Sequence, residues 1–176
     1  LLGSYILSLT IPFIIYAVAI RIPFSVAFPL RKADAGMTIG GICVGLSVST
    51  VASYISSYIE TILGSAGIYI SMPQIETPSD PAAFAIYVIL MTVAPALIEE
   101  LTFRGIVMQS LRRFGDIFAL VTSALLFGIF HMNLMQMPYA FLLGLAMGYF
   151  VMRTGSLWVS IGIHFLNTLG SVVLDV

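Results

Sequence analysis

Ala94-Pro95-Ala96-Leu97-Ile98-Glu99-Glu100-Leu101-Thr102-Phe103-Arg104 sets two carboxylates and a guanidinium into a segment that otherwise has the composition of a membrane span. An ionisable side chain at the centre of a helix in hydrocarbon costs at least about 2.5–3.5 kcal/mol for Asp, Lys or Arg. The chain's two histidines, His131 and His164, also fall in apolar segments. A sequence that keeps adjacent carboxylates, an arginine and both histidines in such surroundings is read as using them.

The surroundings are strongly apolar. Of 176 residues, 60% are hydrophobic and 9% charged, and the mean hydropathy is +1.08. Water-soluble domains carry about 25% charged residues, so this composition predicts an all-α polytopic transmembrane bundle, one domain over residues 1–176, in contact with the lipid bilayer. A net charge of −1 supplies no basic surface and excludes nucleic acid as a partner. Cys43 is the only cysteine; it permits no internal disulfide and no CxxC site, and reads as a small residue facing lipid or a neighbouring helix. The start at Leu1, with no basic leader, reads as an internal or ordered portion of something longer.

A span needs about 20 predominantly apolar residues. The pattern predicts about six, at Leu1–Ile20, Gly36–Ile59, Ala82–Leu111, Ile117–Met132, Met137–Met152 and Leu157–Val173. Pro95 removes one helical hydrogen bond and clashes with the carbonyl of Met91, so a kink is expected one turn before Glu99. Arg21, Arg31 and Lys32 follow the first span, Arg112 and Arg113 the third, and Arg153 the fifth. These alternate connections lie on one side, which the positive-inside rule makes cytoplasmic. Glu60, Glu76 and Asp80 lie opposite, in a connection expected over residues 60–81 that holds Pro73, Pro78 and Pro81. Its middle, Ile62–Ile70, is apolar enough for an interfacial piece, with a plain loop as the alternative. Gly36-x-x-x-Gly40, Gly41-x-x-x-Gly45 and Gly144-x-x-x-Gly148 read as close helix packing within the bundle. Asp116, after Gly115, reads as a helix N-cap, and Asp175 as a span-end charge.

Depth shows whether the polar residues meet. Counted from the basic ends at about 1.5 Å per residue, Glu99 lies roughly 20 Å deep, His131 roughly 22 Å and His164 roughly 16 Å. Three helices thus bring their ionisable groups to similar depth. Glu99 and Glu100 point about 100° apart on a helix and serve different targets. Glu100 and Arg104 stand at i, i+4, the spacing of a same-face ion pair; Arg104 then neutralises Glu100 and leaves Glu99 for chemistry. Phe127 lies one turn from His131 on the same face and walls the pocket, or is simply core. Asn167 and Thr168, at i+3 and i+4 from His164, point with it toward one centre.

Glutamate, two histidines and a carboxamide suit hydrolysis. A glutamate takes a proton from water and returns it to a leaving amine. Histidine and asparagine donate hydrogen bonds to an oxyanion, an effect of about 2.7–4 kcal/mol per donor in one well-studied protease. Glu99, His131 and His164 are equally a zinc-ligand set with one position open for water. Other plans are absent: no HExxH, no paired aspartates within spans, no GxSxG setting around Ser156.

Glu99-Glu100-x-x-x-Arg104, then Phe127-x-x-x-His131, then His164 with a nearby asparagine resembles the three motifs of the CPBP family. That family comprises CAAX-processing endopeptidases and bacteriocin-processing or immunity-associated membrane proteins. The resemblance covers roughly residues 94–168. It implies a helical intramembrane peptidase acting on a membrane-embedded, membrane-associated or lipidated peptide. Glu99 would activate water with help from His131, and His164 and Asn167 would form the oxyanion site. The family's pattern puts asparagine four residues after the second histidine; here Thr168 holds that place and Asn167 stands in for it. With no further strong metal-binding group beyond the motifs, a glutamate mechanism without a cofactor is favoured, with zinc on Glu99, His131 and His164 as the alternative. The competing readings are a transporter or proton relay, which also uses mid-membrane Glu and His, and a non-catalytic immunity protein on the same fold. Chain brevity and the resemblance imply a multi-pass protein of a bacterial plasma membrane.

Overall fold

A computed structural model describes residues 2–70 and 77–174. The elements are α1 (Leu2–Ala19), α2 (Phe24–Ala27), α3 (Ala35–Ser65), α4 (Pro81–Glu100), a π-helical segment (Leu101–Val107), α5 (Met108–Leu111), a 3₁₀ turn (Arg112–Phe114), α6 (Asp116–Phe130), α7 (Gln136–Thr154) and α8 (Leu157–Leu174). Among the described residues there is no strand, only an isolated bridge between Leu30 and Ser156. The fold is all-helical. By length and composition, two helices suffice to cross a membrane, Ala35–Ser65 and Pro81–Phe114; Thr10–Ala19, Asp116–Phe130 and Leu157–Val173 are apolar but shorter.

Polarity is arranged the reverse of a water-soluble domain. Large apolar side chains such as Val18, Ile39, Tyr54, Ile86, Ile117 and Leu125 face outward, while Glu99, Glu100, Arg104 and His164 are buried. Helix α7 packs between α6 and α3, and α8 lies against α4, α3 and α7. Phe103, Phe127, Leu143, Met147, Val159 and Ile163 fill the central core; Met108, Ala119, Val151, Leu157 and Ile161 fill a second one.

Several boundaries differ from the sequence expectation. Helix α3 continues past Ile59 and through Glu60 to Ser65, because no proline intervenes and the left-handed turn comes only at Gly67. It ends in a Schellman motif: Gly67 (φ 77°) donates to Gly64 O at 3.0 Å and Ile68 to Leu63 O at 2.9 Å. Ile62–Ser65, expected in the connection, therefore completes a helix. Pro73, Glu76 and Asp175 lie outside the described residues. Helix α4 runs on through Pro95, and the departure from α geometry falls later, at Leu101–Val107. Helix α6 stops at Phe130 rather than Met132; Met132 takes a positive φ of 47°. Asp116 is the first residue of α6, with Gly115 in the N-cap place. Its carboxylate accepts from Arg112 Nε at 2.8 Å, and that bond lowers its pKa.

Two glycines of α3 separate packing from propensity. A Cβ on Gly45 would collide with the side chain of Ile163, whereas one on Gly40 meets nothing. Gly45→Ala is expected to lower the melting temperature in detergent, since overpacking costs typically about 1–3 kcal/mol. Gly40→Ala should raise it or leave it unchanged, through a helix gain of roughly 0.5–1 kcal/mol. Equal melting temperatures for the two variants would contradict this packing.

Candidate active site

Arg104 is fully buried, as is Glu100 one turn before it. The i, i+4 spacing produces a salt bridge of 2.7 Å from Arg104 Nη1 to Glu100 Oε1. Arg104 belongs to the π-helical segment, where the i→i−4 ladder is interrupted and carbonyls need other donors. Helix α6 supplies one: Ser123 Oγ donates to Phe103 O at 2.8 Å. The Gln109 side chain supplies another, donating to Arg104 O at 3.1 Å. Across the pocket, Gly144 of α7 leaves room for the guanidinium, since a Cβ there would lie 2.8 Å from Arg104 Nη2.

Phe127 is the hub. The Arg104 guanidinium carbon lies 4.1 Å from its ring centroid, within cation–π range. His131 and His164 both pack against the same ring edge to face, with centroids 4.9 Å and 5.8 Å away. One phenyl ring from α6 thus places three of the sequence-predicted residues relative to one another.

Glu100 serves two partners. Its Oε1 also lies 3.1 Å from His164 Nδ1. A carboxylate bound to a guanidinium can only accept, so His164 Nδ1 carries a proton and Nε2 is turned toward Glu99, whose Oε2 is 3.9 Å away. His131 Nδ1 meets Phe127 O at 2.9 Å. A carbonyl too can only accept, so a neutral His131 presents Nε2 as an acceptor.

The remaining predicted residues are placed differently. Thr168 Oγ1 donates to the His164 carbonyl at 3.0 Å, which commits its proton to the α8 backbone. The Asn167 carboxamide oxygen faces α3 and α7, where Ser49 and Tyr139 donate to it. Among the described residues, His131 reaches the cluster through Phe127, and no three His, Cys, Asp or Glu side chains gather closely enough to hold a metal. The alternative zinc set of Glu99, His131 and His164 is not gathered as a ligand cluster in this arrangement. Sequence reasoning missed Ser49, Ser123 and Tyr139. Their one signal is polarity within apolar segments, which hydroxyl residues show too often for it to select them.

A helical membrane protein with ionisable groups gathered at its centre, two histidines presenting Nε2 and a glutamate beside one of them, has the parts of a hydrolase. Residues 81–170, just over half of the chain, match the family described as Type II CAAX prenyl endopeptidase Rce1-like. The chain belongs to this family, which makes it an integral membrane protein of the intramembrane protease class, in agreement with the resemblance drawn from its three motifs. No curated protein and no solved structure matches the chain.

Arg104→Ala is expected to lower folded yield and melting temperature as well as activity. Removing one partner of a buried ion pair typically costs about 3–5 kcal/mol. Wild-type thermal stability in the purified variant would show that Arg104 does not hold the motif together.

Proposed function

We propose that this protein is an intramembrane endopeptidase that hydrolyses a peptide bond in a membrane-associated, lipid-modified protein, with Glu99 as the base. The substrate class follows the family's description, a prenylated protein ending in a CAAX quartet. The observation that carries the reading is His164, buried between both glutamates, with Nδ1 on Glu100 and Nε2 turned to Glu99.

The roles follow from protons. Glu99 takes a proton from the attacking water, and Nε2 of neutral His131 accepts a hydrogen bond from the same water. The peptide carbonyl oxygen becomes an oxyanion and receives hydrogen bonds from His164 Nε2–H and the Asn167 amide. His164 donates from Nε2 only when both its nitrogens are protonated. Two carboxylates, one guanidinium and one imidazolium then sum to zero charge, which suits a low-dielectric centre. Glu99 finally delivers its proton to the leaving amine. Glu100 and Arg104 act through His164 and through the shape of the α4–π junction. The reaction needs no cofactor.

Six of the helices, α1, α3, α4, α6, α7 and α8, are read as spans of a bacterial plasma membrane. The Leu30–Ser156 bridge supports this, because it joins the basic connection of Arg31 and Lys32 to the end of α7 that carries Arg153. Tyr69→Cys and Arg113→Cys, each in a Cys43→Ala background, should label from opposite sides with an impermeant thiol reagent. Labelling from one side would overturn the six-span arrangement.

Wild-type protein in detergent should cleave a quenched fluorescent prenylated CAAX peptide, and Glu99→Gln, which keeps size but cannot act as a base, should abolish cleavage with folding retained. His131→Ala and His164→Ala should do the same. Cleavage by wild type of a lipid-free peptide alone would reject the substrate class. Full cleavage by Glu99→Gln would reject Glu99 as the base, and no cleavage by the folded wild type would favour a proton relay. Elemental analysis should find no stoichiometric zinc; one zinc per chain, lost in His131→Ala, would replace the glutamate mechanism with a metal-dependent one.

A further inference from the structure

Three oxygens from three helices meet beside the site. Ser49 Oγ of α3 lies 2.5 Å and Tyr139 OH of α7 2.6 Å from Asn167 Oδ1 of α8, and the two hydroxyls are 2.6 Å from each other. Oδ1 is the only corner of this triangle without a proton to give. With Oδ1 in place, both hydroxyl protons are used on it. Rotating the amide by 180° would set an N–H donor 2.5 Å and 2.6 Å from the two hydroxyl oxygens, closer than the about 2.7–3.2 Å of N–H···O bonds, whereas O–H···O bonds span about 2.5–3.0 Å. The triangle therefore sets which end of the carboxamide faces which way. Oδ1 points to α3 and α7, and Nδ2 keeps both its protons for other acceptors.

The need for such a lock is visible next to it. Tyr139, together with Ser53, Glu60 and Gln136, lines an open cavity of about 290 Å³. Water there would compete for the oxygen of the half-buried Asn167 and let the amide turn over. Ser49 is itself steadied one turn on, where Ser53 Oγ donates to its carbonyl at 3.1 Å.

We infer that Ser49 and Tyr139 are positioning residues that hold the Asn167 carboxamide with its NH₂ group as the donor to the reaction's oxyanion. The inference rests on the reading of Asn167 as an oxyanion donor. It also accounts for an asparagine at the third rather than the fourth position after His164. An amide there is anchored by α3 and α7 instead of by its own helix, while Thr168, at the fourth, is spent on the His164 carbonyl.

The test is a kinetic cycle on the purified full chain with the prenylated fluorescent peptide. Tyr139→Phe and Ser49→Ala each remove one hydroxyl and should lower kcat by about 2- to 10-fold, the range of a single lost hydrogen bond, with KM unchanged. Together they should approach the loss in Asn167→Ala, on the order of 100-fold for an oxyanion donor. Ser49→Thr, which keeps the hydroxyl, should restore the rate lost in Ser49→Ala. Added to Asn167→Ala, neither change should lower kcat further. Multiplicative losses in that background, or full activity of the Tyr139→Phe, Ser49→Ala double variant beside an impaired Asn167→Ala, would overturn the positioning role. Full activity in Asn167→Ala would instead remove the oxyanion reading on which it rests. Melting temperatures of the same variants separate these outcomes from misfolding, and the Ser49→Ala and Ser49→Thr pair decides the matter if Tyr139→Phe does not fold.

Discussion

Arg104 and Glu100 are both fully buried, and the idealised Born cost of moving an ion of that size from water to a medium of dielectric constant near 4 is of order 20 kcal/mol. Their 2.7 Å contact returns part of this, and the rest of the centre is arranged to return more. Phe127 lays its ring against the guanidinium, and His164 donates to the same carboxylate oxygen. Replacing such a pair by apolar residues is often neutral or stabilising. Stability alone therefore does not explain it, whereas orientation of His164 does.

The π-helical segment holds one partner of this pair, Arg104, and begins directly after the other. A regular α-helix would carry Phe103 and Arg104 at the usual 100° step. The wider turn at Leu101–Val107 buries Thr102 to Val107 together and frees carbonyls that Ser123 and Gln109 then satisfy. Helices α6 and α7 are tied to the motif through Ser123, Phe127 and Gly144. A change at Ser123 or Gly144 touches the motif's backbone or guanidinium, whereas one at Phe127 also touches both histidines.

The two histidines share one device. Each has Nδ1 engaged by an oxygen that can only accept, Glu100 for His164 and the Phe127 carbonyl for His131. Each is thereby left with Nε2 as its second nitrogen for chemistry, and the Phe127 ring lies 4.9 Å from one ring and 5.8 Å from the other. Such fixing of the ring through Nδ1 serves general-base chemistry and metal ligation alike.

Much of this was legible in the amino-acid sequence. Periodicity and composition determined an all-helical bundle, because an apolar chain in lipid must satisfy its backbone internally. The i, i+4 rule determined the Glu100–Arg104 pair, because side chains at that spacing lie on one helix face within reach of each other. Helix ends were legible only where a breaker stood close by; α3 outran its expected end because Glu60 and Thr61 are tolerated in a helix until Gly67 turns the chain. Tertiary structure alone decided the partners across helices: His164 on Glu100 and on Phe127, and Asn167 on Ser49 and Tyr139. Those contacts join residues from 28 to 118 positions apart. Which turn of one helix faces which turn of another depends on packing at glycines such as Gly45 and Gly144 and on a π segment, and no local pattern in the chain encodes that.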